Sequence, residues 1–165
     1  MFRIIVLLTL LHFYQPVFST EDTVSQGVAR YLTRIHKYME DEDWINAKRE
    51  LEVTARRYFK NEDSYERALI NQLYGQFYAL QRDYKNATPW FEKAIAKGRL
   101  PFAADLQVTY SLAQCYFQTG RYQDVIKTLE NYRNKAEKRG QNMAPIQLML
   151  LGIAYYQEQD ILNAY

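Results

Sequence analysis

Few side chains in this sequence have the chemistry or the spacing for a reaction centre. Beyond residues 1–19 the only histidine is His36, and the only cysteine anywhere is Cys115. Zinc needs several histidine or cysteine ligands at short spacing, and no histidine pair of that kind occurs. A lone cysteine forms no internal disulfide. Cys115, between Gln114 and Tyr116, reads as a small buried side chain rather than a reactive thiol. The acidic run Glu40-Asp41-Glu42-Asp43 lacks the alternating oxygens and central glycine of a calcium loop. Asp43 is instead placed to cap a helix, where negative charge is stabilising. No nucleophile elbow, phosphate-binding glycine loop or dinucleotide fingerprint is present. Lys48-Arg49-Glu50 and Arg56-Arg57 alternate with acids and apolar residues, as a solvated helix face does. With a formal net charge of +2, the chain has no global electrostatic footprint for nucleic acid. The sequence therefore predicts no enzyme, no cofactor and no metal.

What remains is a set of amides and aromatics, and their meaning depends on the elements that carry them. Leu73, Phe77 and Leu80 recur at helical spacing and form one stripe. Arg82-Asp83 breaks it, and a second stripe follows through Tyr84, Ala87, Trp90-Phe91 and Ala94. Gly75 and Ala87 leave room for two helices to cross closely, with Tyr78 and Phe91 beside them. A mid-helix glycine costs roughly 1 kcal/mol against alanine, so a packing reason is expected.

This arrangement repeats. A large apolar or aromatic residue three before a smaller one appears as Trp44/Ala47, Tyr84/Ala87, Tyr122/Val125 and Ile161/Ala164, at intervals of 40, 38 and 39 residues. Turn residues precede each: Asp43, Asp83, Gly120-Arg121 and Asp160. Twelve residues before each smaller member lie Ile35, Gly75, Ala113 and Gly152, and three further on come Tyr38, Tyr78, Tyr116 and Tyr155. Self-similarity at such a period marks stacked supersecondary units that cannot bury their apolar faces alone.

At these residues the chain resembles the tetratricopeptide repeat family. That pattern wants a small residue and a tyrosine on a first helix, then an alanine, an aromatic and an alanine on a second. Gly75, Tyr78, Ala87, Phe91 and Ala94 supply it in the second unit; Ala113, Tyr116, Gly120, Tyr122 and Leu129 in the third; Leu151-Gly152, Tyr155 and Ala164 in the fourth. The period exceeds the usual length, the closing proline is displaced to Pro101, and Ile35 replaces the small residue of unit one. The resemblance implies an all-α antiparallel helix-hairpin solenoid, a right-handed superhelix of about three and a half repeats. Its units span about 24–60, 63–98, 101–140 and 144–165 within a domain of residues 20–165.

Local signals place the helices. Thr23 with Gln26 and Asp63 with Glu66 read as capping boxes. Gly98 and Gly140 stop helices. Pro101 and Pro145 open them, and Pro89 falls inside one, where a bend is expected. The last unit reads as a helix to about Gln157, a turn at Asp160 and the start of a partner helix. Leu148, Leu151 and Tyr155 are then expected to lack cover, which reads as a chain whose further repeats are missing, or one that self-associates through this helix. Arg3, the apolar run from Ile4 to Leu11 and Val17-Phe18-Ser19 form the layout of a cleaved secretory signal, too short to span a bilayer comfortably. The expected location is periplasmic or secreted, with no stable membrane insertion after cleavage.

First helices line the inner wall of a helical array. In this register the wall is Leu32, His36 and Met39; Leu69, Gln72, Gln76 and Leu80; Tyr110, Gln114 and Phe117; Met149, Ile153 and Tyr156. The set is amide-rich, aromatic and almost uncharged. The lysine, arginine and asparagine with which tetratricopeptide domains clamp a terminal carboxylate are absent from it. Gln and Tyr suit the backbone of a protein or peptide partner, with apolar contact from their stems; packing against the next repeat is the competing role. The runs Glu66–Tyr78, Phe91–Ile95 with Leu100-Pro101, Thr109–Phe117 and Gly120–Glu130 are similar to periplasmic repeat proteins that accompany TonB/ExbB/ExbD uptake systems. An envelope-assembly or cell-wall scaffold, and the repeat domain of a longer enzyme, are the alternatives.

Overall fold

The computed structural model describes residues 26–58, 61 and 63–163, with side chains placed from Val28 to Gln159 apart from residues 58–60 and 62. The capping box expected at Thr23 and the signal segment lie outside the described residues. Among the described residues the chain is all-α: α1 (Gln26–Glu40), α2 (Trp44–Tyr58), α3 (Tyr65–Leu80), α4 (Tyr84–Ile95), α5 (Phe102–Gln118), α6 (Tyr122–Glu137) and α7 (Pro145–Asn163). Each helix packs against the next, giving the three hairpins α1/α2, α3/α4 and α5/α6, with α7 laid against α6.

The same turn closes every hairpin. The amides of Asp43, Asp83 and Arg121 donate to the carbonyls of Tyr38, Tyr78 and Tyr116 at 2.8, 2.9 and 2.9 Å. The residue before each amide is left-handed: Glu42 at φ 55°, Arg82 at 61° and Gly120 at 73°. This is the Schellman arrangement, which satisfies carbonyls that a helix end leaves open. Asp43 and Asp83 then cap the following helix, each accepting from the backbone N–H of Asn46 or Asn86 and from its side-chain amide. Three of the four tyrosines thus occupy one structural position.

Buried residues of the first and second helices make two cores that share α3. Val28, Leu32, Ile35, Met39, Ala47 and Leu51 pack with Ile70, Leu73 and Phe77. Ala68 and Ala79 join Ala87, Phe91 and Ala94 and the inner faces of α5, α6 and α7. Fully burying side chains such as Ile35, Leu51 or Leu73 is worth roughly 1.5–3 kcal/mol each. Hydrogen bonds repeat between units too: Tyr116 Oη donates to Glu92 Oε1 at 2.5 Å, and Tyr155 Oη to Glu130 Oε1 at 3.2 Å. The glutamates are 38 residues apart and the tyrosines 39.

Two expectations are corrected. Ser64, not Asp63, caps α3, accepting from the Arg67 N–H at 3.1 Å. Asp63 instead grips Arg99 through both carboxylate oxygens at 3.0 Å, tying the start of the second hairpin to the loop that leaves it. The turn expected at Asp160 is absent, and α7 runs unbroken to Asn163. A left-handed non-glycine residue costs about 1–2 kcal/mol; at Glu42 and Arg82 the packed second helix offsets that cost.

Candidate protein-binding surface

The inner-wall positions divide into three environments. Leu32 and Met39 are corrections: both are core residues, 3% and 2% exposed, drawn into the apolar cluster with Ile70, Leu73 and Phe77. Leu69 and Leu80 are half-buried against that cluster. His36 is half-buried and its imidazole is held below the ordinary 6.5, because burial disfavours the charged form more than Glu40 favours it. The wall near α1 is therefore closed and apolar.

The middle of the wall is different. Gln72 and Gln76 lie half-buried one turn apart on α3, and Tyr110 and Gln114 hold the corresponding places on α5. Tyr110 and Gln114 are also corrections to an open groove, being 3% and 9% exposed. Burial raises the Tyr110 phenol above its ordinary value, against an opposing hydrogen bond with Gln114. Phe117, half-buried, packs edge-on against Tyr122 with centroids 5.7 Å apart.

Here the polar bookkeeping stays open. Buried hydroxyls elsewhere are satisfied: Thr54, Thr88 and Thr109 donate to carbonyls four residues back. By contrast, the side-chain oxygens of Asn71, Gln72, Gln76 and Gln114 are shut away from solvent and accept no hydrogen bond from the described residues. An unsatisfied buried acceptor costs roughly 1–3 kcal/mol. All four sit on α3 and α5. Asn71 was not among the expected wall residues; its signal is an amide set between Ile70 and Leu73, inside an apolar stripe.

At α7 the wall opens. Met149 and Tyr156 are 46% and 62% exposed, with Ile153 half-buried between them. Elsewhere, Cys115 is buried and its thiol is pushed up to about 12 by desolvation, which leaves it protonated and structural. Among the described residues no group of three or more His, Cys, Asp or Glu is placed to hold a metal, and no helix is long and apolar enough to cross a membrane.

Repeated hairpins closed by a shared turn make this an all-α helical-hairpin solenoid of tetratricopeptide-like form. Residues 80–143, which carry α4, α5 and α6, match the family model described as anaphase-promoting complex, cyclosome, subunit 3. No curated protein matches the chain.

Proposed function

We propose that this protein is a protein–protein interaction scaffold that receives an uncharged stretch of its partner against the inner faces of α3 and α5. The observation that carries this reading is the group of four buried amide oxygens without donors, at Asn71, Gln72, Gln76 and Gln114. Acceptors held out of water, two of them (Gln76 and Gln114) at repeat-equivalent positions, are complementary to main-chain N–H groups of an extended segment. The expected wall positions carry no lysine, arginine or acid, so a terminal carboxylate or a phosphate has no counter-charge there. The matched family model describes a subunit of a multiprotein complex, and repeats of this type generally bind other proteins, which supports the same role.

Export belongs to this proposal through residues 1–19, with the chain acting as an envelope scaffold. An accessory role in a TonB-type uptake system is the finer version, resting on the texture of the second and third units. The test compares the wild-type chain with a Gln72→Leu/Gln76→Leu variant as bait in envelope and whole-cell extracts. A partner recovered by the wild type and lost by an equally helical variant is the expected result. Equal recovery by both would remove the amide wall from the interaction. Fractionation of a tagged full chain decides the location, with cleavage after Ser19 expected.

A further inference from the structure

The junction of α4 with the turn between α5 and α6 departs from the repeat. Two residues after Ala47, Ala87 and Val125 come Arg49, Pro89 and Lys127, so α4 carries a proline ring where the other second helices carry a long cation. At the amide that closes each hairpin stand Asp43, Asp83 and Arg121, so this turn has a cation where the others have a carboxylate. A cleft of about 440 Å³ lies here, lined by Lys85, Thr88, Pro89, Glu92, Thr119 and Arg121. That volume is ordinary for a small-molecule site. Tyr116 tethers both of its charged walls: Glu92 Oε1 accepts from the phenol at 2.5 Å, and the Arg121 guanidinium lies over the same ring, 4.4 Å from its centroid. Acid and guanidinium do not pair with each other, and Arg121 turns its Nε to Asp124 at 2.7 Å. Among the described residues Glu92 Oε2, the Arg121 Nη groups and Lys85 Nζ have no hydrogen-bond partner. Pro89 has no N–H, so the Lys85 carbonyl four residues back lacks its helical donor. The hydroxyls of Thr88 and Thr119 are spent on helix carbonyls, which leaves their methyls and the proline ring as apolar lining.

We propose that this cleft binds a small zwitterion, a free α-amino acid with an apolar side chain. Its carboxylate meets Arg121 and Lys85, its ammonium meets Glu92 Oε2 and the Lys85 carbonyl, and its side chain lies against Pro89 and the threonine methyls. An anion alone faces Glu92 and a cation alone faces Lys85 and Arg121, so the fitting ligand brings both signs. The cleft belongs to α4 and the following hairpin turn, is separate from the amide wall, and neither site needs the other.

The probe is L-leucine, titrated into the full isotope-labelled chain and read by heteronuclear NMR, with N-acetyl-leucine and leucine amide as analogues that keep one charge each. Shifts concentrated on the amides of Lys85, Thr88, Glu92, Thr119 and Arg121 are expected, saturating as a single site. Each one-charge analogue should bind about tenfold more weakly, the factor carried by one charge-assisted hydrogen bond. Arg121→Asp and Pro89→Lys should each abolish the shifts without lowering the melting temperature, since each installs the residue type that Asp83 or Lys127 supplies in a neighbouring repeat. Glu92→Gln keeps an acceptor for Tyr116 and should weaken leucine while leaving N-acetyl-leucine no weaker. Absence of shifts at millimolar leucine overturns the proposal. So does N-acetyl-leucine binding as tightly as leucine, which would make the cleft an anion site, and so does wild-type binding by a folded Arg121→Asp or Pro89→Lys chain.

Discussion

Phe91 lies so close to Gly75 that a single added methyl group would reach within 2.5 Å of its ring. The ring has nowhere to go, being 1% exposed. Alanine at this position would gain about 1 kcal/mol of helix propensity and lose more by overpacking, which costs about 1–3 kcal/mol. Gly75→Ala should therefore lower stability by about 1 kcal/mol. The same substitution at Gly152 meets open space and should raise stability by about 0.5–1 kcal/mol. Urea titrations of the two variants check the opposite signs directly, and equal effects would show that the two glycines are not structurally distinct.

Arg82 sits left-handed at φ 61° in the turn where the third hairpin uses Gly120 at 73°. A Cβ is penalised there and glycine is not. Arg82→Gly should stabilise the chain by about 0.5–1 kcal/mol after the entropy glycine adds to the unfolded state. Thermal melts of Arg82→Gly and Gly120→Ala should move in opposite directions, upward for the first and downward for the second.

The fold was largely legible because packing constraints wrote themselves into spacing. Close helix crossings demand small residues at Gly75, Ala87 and Ala113, and the tyrosines mark where each turn begins. The wall was less legible. Register alone places Leu32 and Met39 on the inner side, but long apolar side chains swing into whatever core is nearest, here that of Ile70 and Phe77. Tyr110 and Gln114 are buried for a related reason: their helix is flanked by packed neighbours, whereas Met149 and Tyr156 lie on the helix left open. Capping also misled, since Asp63 and Ser64 both suit the role and only Arg99, 36 residues away, draws the carboxylate elsewhere.

Gln76 and Gln114 occupy equivalent places and keep their oxygens unpaired out of solvent. If the amides serve a partner rather than the fold, removing them should help the fold. Leucine is close in volume and discards an acceptor whose desolvation costs roughly 1–3 kcal/mol. Gln114→Leu should leave stability unchanged or raise it by about 1 kcal/mol, while Gln72→Leu/Gln76→Leu loses the partner. Denaturant unfolding checks the first part and bait recovery the second; a clear loss of stability in Gln114→Leu would show that the fold uses this amide.

Acid should unfold the chain in two stages whose order follows from where its groups titrate. His36 is depressed below 6.5 by burial, so it is neutral in the fold and must charge as pH falls. Its contribution is complete above the unfolded value and is lost as pH drops through the folded one. Asp43 is depressed below 3.8 by hydrogen bonds from Asn46, and Asp63 by its bond to Arg99. Their contribution is complete above 3.8 and is lost only at lower pH, through the folded values. Melting temperature should therefore begin to fall below about 6.5 and fall again below about 3.8. His36→Gln removes the first stage alone, and Asp63→Asn weakens the second. A wild-type profile flat down to pH 4 would contradict the placement of His36, and an NMR titration of its imidazole protons gives an independent check.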